Sequence, residues 1–375
     1  MNKKERFCDV DNIVEWRHII TALLAVIAFT ANATVPDSIR QNLADFDSVV
    51  YMAEHDYAPF KFKVTKKNRR EYNGLKKQLI RDITKGKRTW QDAVCAYVGW
   101  FGDHHFYVSG ESKDVNANYS KYARKRIEYW KLMDEYHLQP MSCKVDDDTW
   151  LIRFPSCDNT QEWAEQSARE YLNSGCPNLI IDIRGNGGGS DNSYQPFMQL
   201  LFDTSDCSRD GVMIRYTEAS IRRCGLNEER LKELGLPTDF VHAPEYVVLV
   251  EEGATFHYDS ISTFPKKAAI IVDNSVASSG EQLVLDVRLA SKRTKIYGRD
   301  NTLGCVDTGN CPHFTPAGRG LNIQYPISYS TRYEKGTCVD PTGIAPDVRI
   351  PLPYPKRLTD NIDEWVLWVA EDLKR

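Results

Sequence analysis

The first part of the chain follows a helical pattern of hydrophobic positions. Apolar residues recur at intervals of three and four over Tyr72–Ile83 and Thr89–Trp100, which predicts two amphipathic helices. Lys121–Tyr136 shows the same spacing and predicts another helix, whereas Ser109–Asn118 is polar and predicts a loop. We therefore expect residues 34–140 to form a mainly helical N-terminal subdomain.

From Met141 onward the pattern changes to short apolar runs separated by helical stretches. The strands predicted from these runs are Ser142–Val145, Trp150–Phe154, Asn178–Ile183, Tyr246–Glu251 and Ala268–Val272. The predicted helices are Gln161–Leu172, Tyr194–Phe202 and Asp360–Lys374. Strands that alternate with helices favour an α/β fold with a mainly parallel sheet. We expect this core to occupy residues 141–356, with a C-terminal helix in residues 357–375.

The N-terminus has the three-part pattern of a secretory signal peptide. Basic residues precede an uncharged run over Ile19–Phe29, and Ala31–Ala33 has the small residues of a cleavage site. The run is too short to span a bilayer as a permanent anchor. We expect residues 1–33 to be removed and the mature protein to be periplasmic or extracellular, without a stable membrane span. The alternative is a buried N-terminal helix.

Composition narrows the function classes. The chain is 42% hydrophobic and 27% charged, as in globular proteins, and its net charge of −4 gives no indication of nucleic acid or anionic membrane as a partner. Ten cysteines indicate an oxidising compartment, and the loop from Cys305 to Cys311 is short enough for a disulfide. The sequence has no C-x-x-C pair, so a zinc ribbon has no support, and we expect neither a metal nor a cofactor. Oligomerisation is left open.

A glycine-rich loop follows the strongest predicted strand. Ile181–Ser190 contains four glycines, which permit close approach of the backbone to a ligand. Successive N–H groups in such a loop can converge on a phosphate or on a catalytic oxyanion. The spacing matches neither a P-loop nor a dinucleotide-binding fingerprint. A structural turn without chemistry remains the alternative.

A serine-rich turn follows the predicted strand Ala268–Val272. Ser278 precedes a helix that starts near Gly280, where free N–H groups and the helix dipole favour developing negative charge. The alternative is that Ser278 or Ser279 only caps this helix, with Glu281 completing a capping box.

Two further segments carry groups suited to proton transfer. His104 and His105 are adjacent, and neighbouring side chains point in different directions, so a shared metal is disfavoured and one histidine as a general base is more economical. Asp340 and Asp347 lie in a turn-rich loop, where each either orients an imidazole or serves as a turn residue.

In this order, the segments resemble the tail-specific (carboxy-terminal processing) serine peptidases, a family that includes the tricorn core and the retinoid-binding repeats of the eye. Its motifs D-G-H-T, L-I-[IL]-D-[LI]-R-x-N-x-G-G, S-A-S-[AS]-E, E-T-x-G and G-[VI]-x-P-D correspond here to Asp103–His105, Leu179–Gly189, Ser278–Glu281, Asn301–Gly304 and Gly343–Asp347. The resemblance spans roughly residues 90–350. It implies a crotonase-like α/β catalytic core and a serine peptidase that acts on peptides or unfolded proteins.

The resemblance also implies roles for the serine turn and the glycine loop. Ser278 corresponds to the nucleophile, and the N–H groups of Ser279 and of Gly188 or Gly189 correspond to the oxyanion hole. Processing members use a lysine base in T-F-G-K, but Cys305 occupies that position here. A Ser–Lys dyad is therefore not available.

The tricorn-like branch instead implies a histidine base. His105 fits this base and His104 takes the place of its polar neighbour. Asp340 stands at the position of the orienting glutamate, with Glu334 as a substitute and Glu281 as a supporting residue. The segment between His105 and the strand region is too short for a PDZ domain, so capture of a substrate's C-terminus does not follow from the resemblance.

Two rival functions remain from the residues themselves. A binding protein on the same fold, with an apolar cleft and lost catalysis, is compatible with an aspartate at residue 340 and with the histidine doublet. The presence of both Ser278 and His105 favours the enzyme, because a triad works by geometry and role. A phosphate-binding protein is the poorest reading, because the P-loop lysine is missing.

Overall fold

The structure is a computed structural model that describes residues 36–110, 129–204, 206–257, 261–316 and 320–375. Two compact units divide the chain, residues 1–42 and 43–375, and the first is described only from residue 36. The predicted signal peptide therefore lies outside the described residues.

The described residues contain helices throughout and strands from Tyr107 onward. The α-helices, numbered in chain order, are α1 Asp37–His55, α2 Phe60–Lys63, α3 Arg69–Thr84, α4 Trp90–Trp100, α5 Gln161–Ser174, α6 Gln195–Leu201, α7 Glu218–Arg223, α8 Glu228–Glu233, α9 Ser279–Ala290, α10 Arg332–Lys335 and α11 Glu364–Leu373. The strands are β1 Tyr107–Gly110, β2 Glu135–Tyr136, β3 Met141–Lys144, β4 Thr149–Arg153, β5 Asn178–Asp182, β6 Asp206–Ser208, β7 Val212–Arg215, β8 Tyr246–Val250, β9 Thr255–His257, β10 Lys267–Val272, β11 Thr294–Gly298, β12 Thr308–Gly309, β13 His313–Phe314, β14 Leu321–Gln324, β15 Ser328–Ser330, β16 Val348–Arg349 and β17 Arg357–Leu358. Short 3-10 helices occur at Tyr129–Lys131 and Asp191–Tyr194.

A six-stranded sheet with the order β16-β11-β10-β5-β4-β3 organises the α/β part. All its neighbouring strands are parallel except β3 and β4. Because side chains alternate along a strand, Leu179 and Ile181 of β5 face one core and Ile180 faces the other. Helices α5, α6 and α9 cover the first face and α11 covers the second. The predicted α/β fold with a mainly parallel sheet is confirmed.

The N-terminal helices share a core with strands that come much later in the chain. Phe46, Tyr72 and Tyr97 pack in a cluster that also contains Ile214 of β7 and Ile323 of β14. Strand β1 pairs antiparallel with β14. The segment that carries the histidines, which runs from α4 to β1, is therefore held by elements about two hundred residues further along. The predicted N-terminal helical region is confirmed, while the predicted domain boundaries stay predictions.

The helix predicted over residues 121–136 is wrong in its described part. Residues 121–128 lie outside the described residues, and Tyr129–Lys131 forms only a short 3-10 helix. The Tyr129 hydroxyl donates to Asp300 at 2.9 Å, and Glu135–Tyr136 pairs with Arg357–Leu358 as a strand. These long-range contacts override the local helical spacing.

A buried charge network closes the carboxyl end of β5. Arg153 and Arg184 both donate to Asp182, at 2.7–2.8 Å, and both also donate to Asp363. Asp363 is the N-cap of α11, so the network joins this helix to the sheet. Since Arg184 directly precedes the glycine loop, the same contacts fix where that loop begins.

Candidate active site

Ser278 stands at a strained turn between β10 and α9. Its backbone has φ 52° and ψ −124°, a conformation that non-glycine residues adopt at a cost of about 1–3 kcal/mol. Its N–H donates to the carbonyl of Cys305 at 2.9 Å, and its side chain makes no capping hydrogen bond in the described part of the chain. Capping is therefore not what the hydroxyl does. The strand, sharp turn and helix are the geometry in which a nucleophile elbow presents a hydroxyl at a helix N-terminus.

The glycine loop lies directly against this serine. A Cβ added to Gly188, where φ is 103°, would lie 2.6 Å from the Ser278 Cβ, so only glycine fits. Asn186 holds the two segments together. Its side-chain oxygen accepts the Gly188 N–H at 2.9 Å, its NH₂ group donates to the Phe154 carbonyl at 2.8 Å, and its own carbonyl accepts the Ala277 N–H at 2.9 Å.

Two backbone donors beside Ser278 have no partner among the described hydrogen bonds. They are the N–H of Ser279, in the first turn of α9, and the N–H of Gly189. The Ser279 hydroxyl donates to the Gly189 carbonyl at 2.9 Å, which ties the two segments together. The Gly188 N–H is already bound to Asn186. Of the two predicted glycine donors, Gly189 is thus the one whose N–H is free to stabilise an oxyanion.

Glu281 lies buried beneath the elbow. Its carboxylate accepts the Thr302 hydroxyl and the N–H groups of Gly304 and Cys305, the latter two at 2.8 and 2.7 Å. Burial raises the pKa of Glu281 to about 7 despite these donors. Since the Cys305 carbonyl accepts the Ser278 N–H, Glu281 supports Ser278 through the loop and not through a capping box.

His105 lies in the turn after α4, close to the loop that forms one wall beside Ser278. The imidazole Nδ1 is 3.2 Å from the Thr308 hydroxyl, and the backbone N–H of His105 donates to the Asp103 carboxylate at 2.9 Å. Burial lowers the pKa of His105, and the negative charge of Asp103 opposes that shift. The imidazole is therefore in its neutral form near pH 7. His104 is half-buried in the same turn.

Asp340 binds backbone groups in the described contacts and not the imidazole. Its carboxylate accepts the N–H groups of Val306 and Asp307, at 2.8 and 3.1 Å. The Asp307 carboxylate in turn accepts the N–H groups of Val339 and Asp340, at 2.7 and 2.8 Å. The two aspartates thus join the loop that precedes β12 to the loop that follows α10. Burial, and then the charge of Asp307, raise the pKa of Asp340 well above its usual value.

Glu334, the predicted substitute for Asp340, points elsewhere. Its carboxylate accepts the Tyr329 hydroxyl at 2.8 Å and lies 3.8 Å from the Lys61 ammonium. No contact between Glu334 and His105 occurs in the described part of the chain.

Cys305 and Cys311 are both free thiols, so the expected disulfide between them is not formed. Burial raises the pKa of both thiols. Cys305 contributes through its backbone instead, because its N–H and carbonyl bind Glu281 and Ser278.

A cleft of about 480 Å³ opens beside Ser278. Thr308 lines it, and Val212, Leu249 and Val250 provide apolar surface. Two arginines in its lining form ion pairs with neighbouring aspartates. Arg209 pairs with Asp191 and Asp286. Arg332 pairs with Asp210 and Asp307. The cleft therefore presents Ser278 to a ligand without a strong charge of either sign.

The described residues contain no group of three His, Cys, Asp or Glu side chains arranged to hold a metal ion. Within the same residues no helix is both long and apolar enough to cross a membrane.

Sequence reasoning left three contributors to this site without a role. Asn186 lies inside the glycine motif, and its position directly between glycines was an available signal. Asp103 lies two residues before His105, a spacing at which a carboxylate can accept the backbone N–H. Thr308 has no local signal, because it reaches His105 across 203 positions.

Comparisons with known proteins identify the family and the fold. The family model for peptidase family S41 matches residues 148–350, which include Ser278 and Asp340 but not His105. A proposed peptidase from Parabacteroides merdae ATCC 43184 is similar over 82% of this chain and 89% of its own, with 14% identity and a TM-score of 0.53. Mature CPAF is similar over 84% of this chain and 93% of its own, with 12% identity and a TM-score of 0.55. At these identities the likeness concerns the fold. No curated protein sequence matches the chain significantly.

Proposed function

Because the chain belongs to peptidase family S41, whose members are serine-type peptidases, we propose that it hydrolyses peptide bonds through an acyl-enzyme on Ser278. The observation that carries this proposal is the strained turn at Ser278, with the unpaired N–H groups of Ser279 and Gly189 beside the hydroxyl. Strain at a single non-glycine residue persists where the surroundings hold it, and such residues cluster at active sites.

The proposed reaction follows the order of acyl transfer. The Ser278 oxygen attacks the substrate carbonyl carbon while its proton passes to Nε2 of His105. The N–H groups of Ser279 and Gly189 stabilise the oxyanion, and each such donor contributes about 3 kcal/mol to the transition state. The C–N bond then breaks, and the amine leaves with the proton from Nε2. A water molecule gives its proton to Nε2 and attacks the ester, and the returning proton restores the Ser278 hydroxyl.

The state of His105 supports its role as the base. Because burial lowers its pKa, the imidazole is neutral near pH 7 and has a lone pair available. Its Nδ1 is held at 3.2 Å by Thr308, a residue that lines the cleft beside Ser278.

The substrates we propose are peptides or unfolded proteins. A cleft of about 480 Å³ with an apolar wall and compensated charges suits side chains of an extended polypeptide. We further propose export to the periplasm or beyond, for which the support is the charged, apolar and small-residue pattern of residues 1–33.

Labelling with a fluorophosphonate probe tests the nucleophile. We expect the wild type to be labelled, Ser278→Ala to be unlabelled, and His105→Gln to label far more slowly. Ser275→Ala is the matched control, because Ser275 lies in the same turn. Its contact with Asp273 is made by the backbone N–H, which the substitution keeps. Equal labelling of the wild type and Ser278→Ala would refute the nucleophile. A folded wild type that is not labelled at all would instead favour the catalytically silent binding protein.

A further inference from the structure

Asp103 is buried and turned toward the candidate base. It is 9% exposed. One of its carboxylate oxygens accepts the backbone N–H of His105 at 2.9 Å and the Thr308 hydroxyl at 3.2 Å. The other oxygen accepts the Tyr57 hydroxyl at 2.8 Å. Tyr57 is itself 1% exposed, so the carboxylate is held from two sides by buried partners.

With an ionised Asp103 carboxylate, these hydrogen bonds favour one tautomer of the imidazole. An ionised carboxylate only accepts, so the single hydroxyl proton of Thr308 points to Asp103. The Thr308 oxygen then has only lone pairs to offer to Nδ1 of His105, which must carry the ring proton. Nε2 is thereby left unprotonated, which is the form that a general base requires.

We propose that Asp103, acting through the Thr308 hydroxyl, is the positioning residue that holds His105 in the tautomer competent for proton abstraction. This inference rests on the proposed function, because it assigns an orienting group to the proposed base. Protons pass only between Nε2, Ser278, the leaving amine and water, and the Nδ1 proton stays on His105, so no proton is transferred to Asp103. Its charge stabilises the imidazolium that forms during acylation.

The contacts of Asp340, the acid that the sequence predicted to orient His105, agree with this assignment. Asp340 has both carboxylate oxygens on backbone N–H groups, those of Val306 and Asp307. Those two residues directly precede Thr308 in the chain. Asp340 therefore holds the loop that carries Thr308, while Asp103 supplies the carboxylate that binds the Thr308 hydroxyl beside the imidazole.

The test compares substitutions at Thr308 and Asp103 by the rate of fluorophosphonate labelling as a function of pH. Thr308→Val keeps the shape of the side chain but removes the bridge, so we expect labelling to slow by about 10²-fold. Thr308→Ser keeps the hydroxyl and should restore the rate to within a few-fold of wild type. Asp103→Asn keeps an amide oxygen for the His105 backbone N–H and the Thr308 hydroxyl and turns its NH₂ group toward Tyr57, so it removes the charge alone. We expect labelling of this variant to slow by about 10²-fold.

The pH profile separates positioning from a merely structural effect. Without the bridge or the charge the imidazolium is less stable, so the acidic limb of the profile should move to lower pH in Thr308→Val and in Asp103→Asn, but not in Thr308→Ser. Thermal unfolding shows whether each variant is folded. If Thr308→Val labels like wild type, or if Asp340→Asn shifts the acidic limb and Asp103→Asn does not, the inference is overturned. Failure of the wild type to label at Ser278 would overturn the proposed function instead.

Discussion

Gly188 offers the sharpest test of the elbow geometry. In Gly188→Ala the added Cβ would lie 2.6 Å from the Ser278 Cβ and 3.1 Å from the Ala277 carbonyl. Ordinary contact begins at 3.4 Å, so raising 2.6 Å to 3.4 Å requires a shift of about 0.8 Å between the loop and the nucleophile. The backbone at φ 103° adds strain of about 1–3 kcal/mol for any side chain.

Two outcomes follow, one for stability and one for reactivity. The unfolding free energy of Gly188→Ala should fall by about 1–3 kcal/mol, the strain of the backbone. Displacement of the nucleophile by nearly 1 Å should slow fluorophosphonate labelling by about 10²-fold, because misplacement on that scale costs this much rate. Chemical denaturation and labelling kinetics measure the two effects separately.

The same loop supplies the control. Gly187 is exposed, has no atom within 4 Å of an added Cβ and does not have a positive φ, so Gly187→Ala should label like wild type. If Gly187→Ala is as slow as Gly188→Ala, or if Gly188→Ala labels normally, the close packing of Gly188 on Ser278 does not govern reactivity and the reasoning is refuted.

Three further predictions concern the support of the site. Asp363→Asn keeps a capping side chain but removes a negative charge from between two buried arginines. Its unfolding free energy in chemical denaturation should therefore fall by about 3–5 kcal/mol. The exposed control Asp360→Asn should lose less than about 0.5 kcal/mol. Burial raises the pKa of Glu281 from 4.5 to about 7, so the stability from its protonated form is complete below about pH 4.5 and is lost as the pH rises through 7. Relative to Glu281→Gln, the wild type should therefore lose about 3 kcal/mol across that window, and a difference that does not change with pH would contradict the assignment. Asn186→Ala leaves the Gly188 N–H and a buried carbonyl without partners, so we expect a loss of about 2–5 kcal/mol in denaturation and slowed labelling, and an unchanged labelling rate would mean that Asn186 does not hold the loop.

Local sequence signals predicted the elements that flank Ser278. The apolar run of β5 and the four glycines after it specify a buried strand and a turn that only glycine can make at Gly188. The run before Ser278 and the helical spacing after it likewise specify β10 and α9. These features depend on residues close together in the chain, so pattern and propensity suffice to find them.

Other expectations failed because distant residues decided the outcome. The helical spacing of residues 121–136 gave way, in its described part, to a bond from Tyr129 to Asp300 and to pairing of β2 with β17. The loop between Cys305 and Cys311 is short enough for a disulfide, yet both thiols are free, and Cys305 contributes to the site through its backbone N–H, which binds Glu281. These contacts join residues far apart in the chain, so local patterns do not predict them.

By itself, the amino-acid sequence determined the fold class, the serine turn and the glycine loop, because each rests on local patterning. Only the tertiary structure decided which backbone N–H groups near Ser278 are unpaired and which acid reaches His105. Asp103 and Thr308 meet across 205 positions, and Asp340 turns to backbone donors of its own loops. These contacts join residues that are far apart in the sequence, so no local pattern specifies which partners each carboxylate binds in the folded chain.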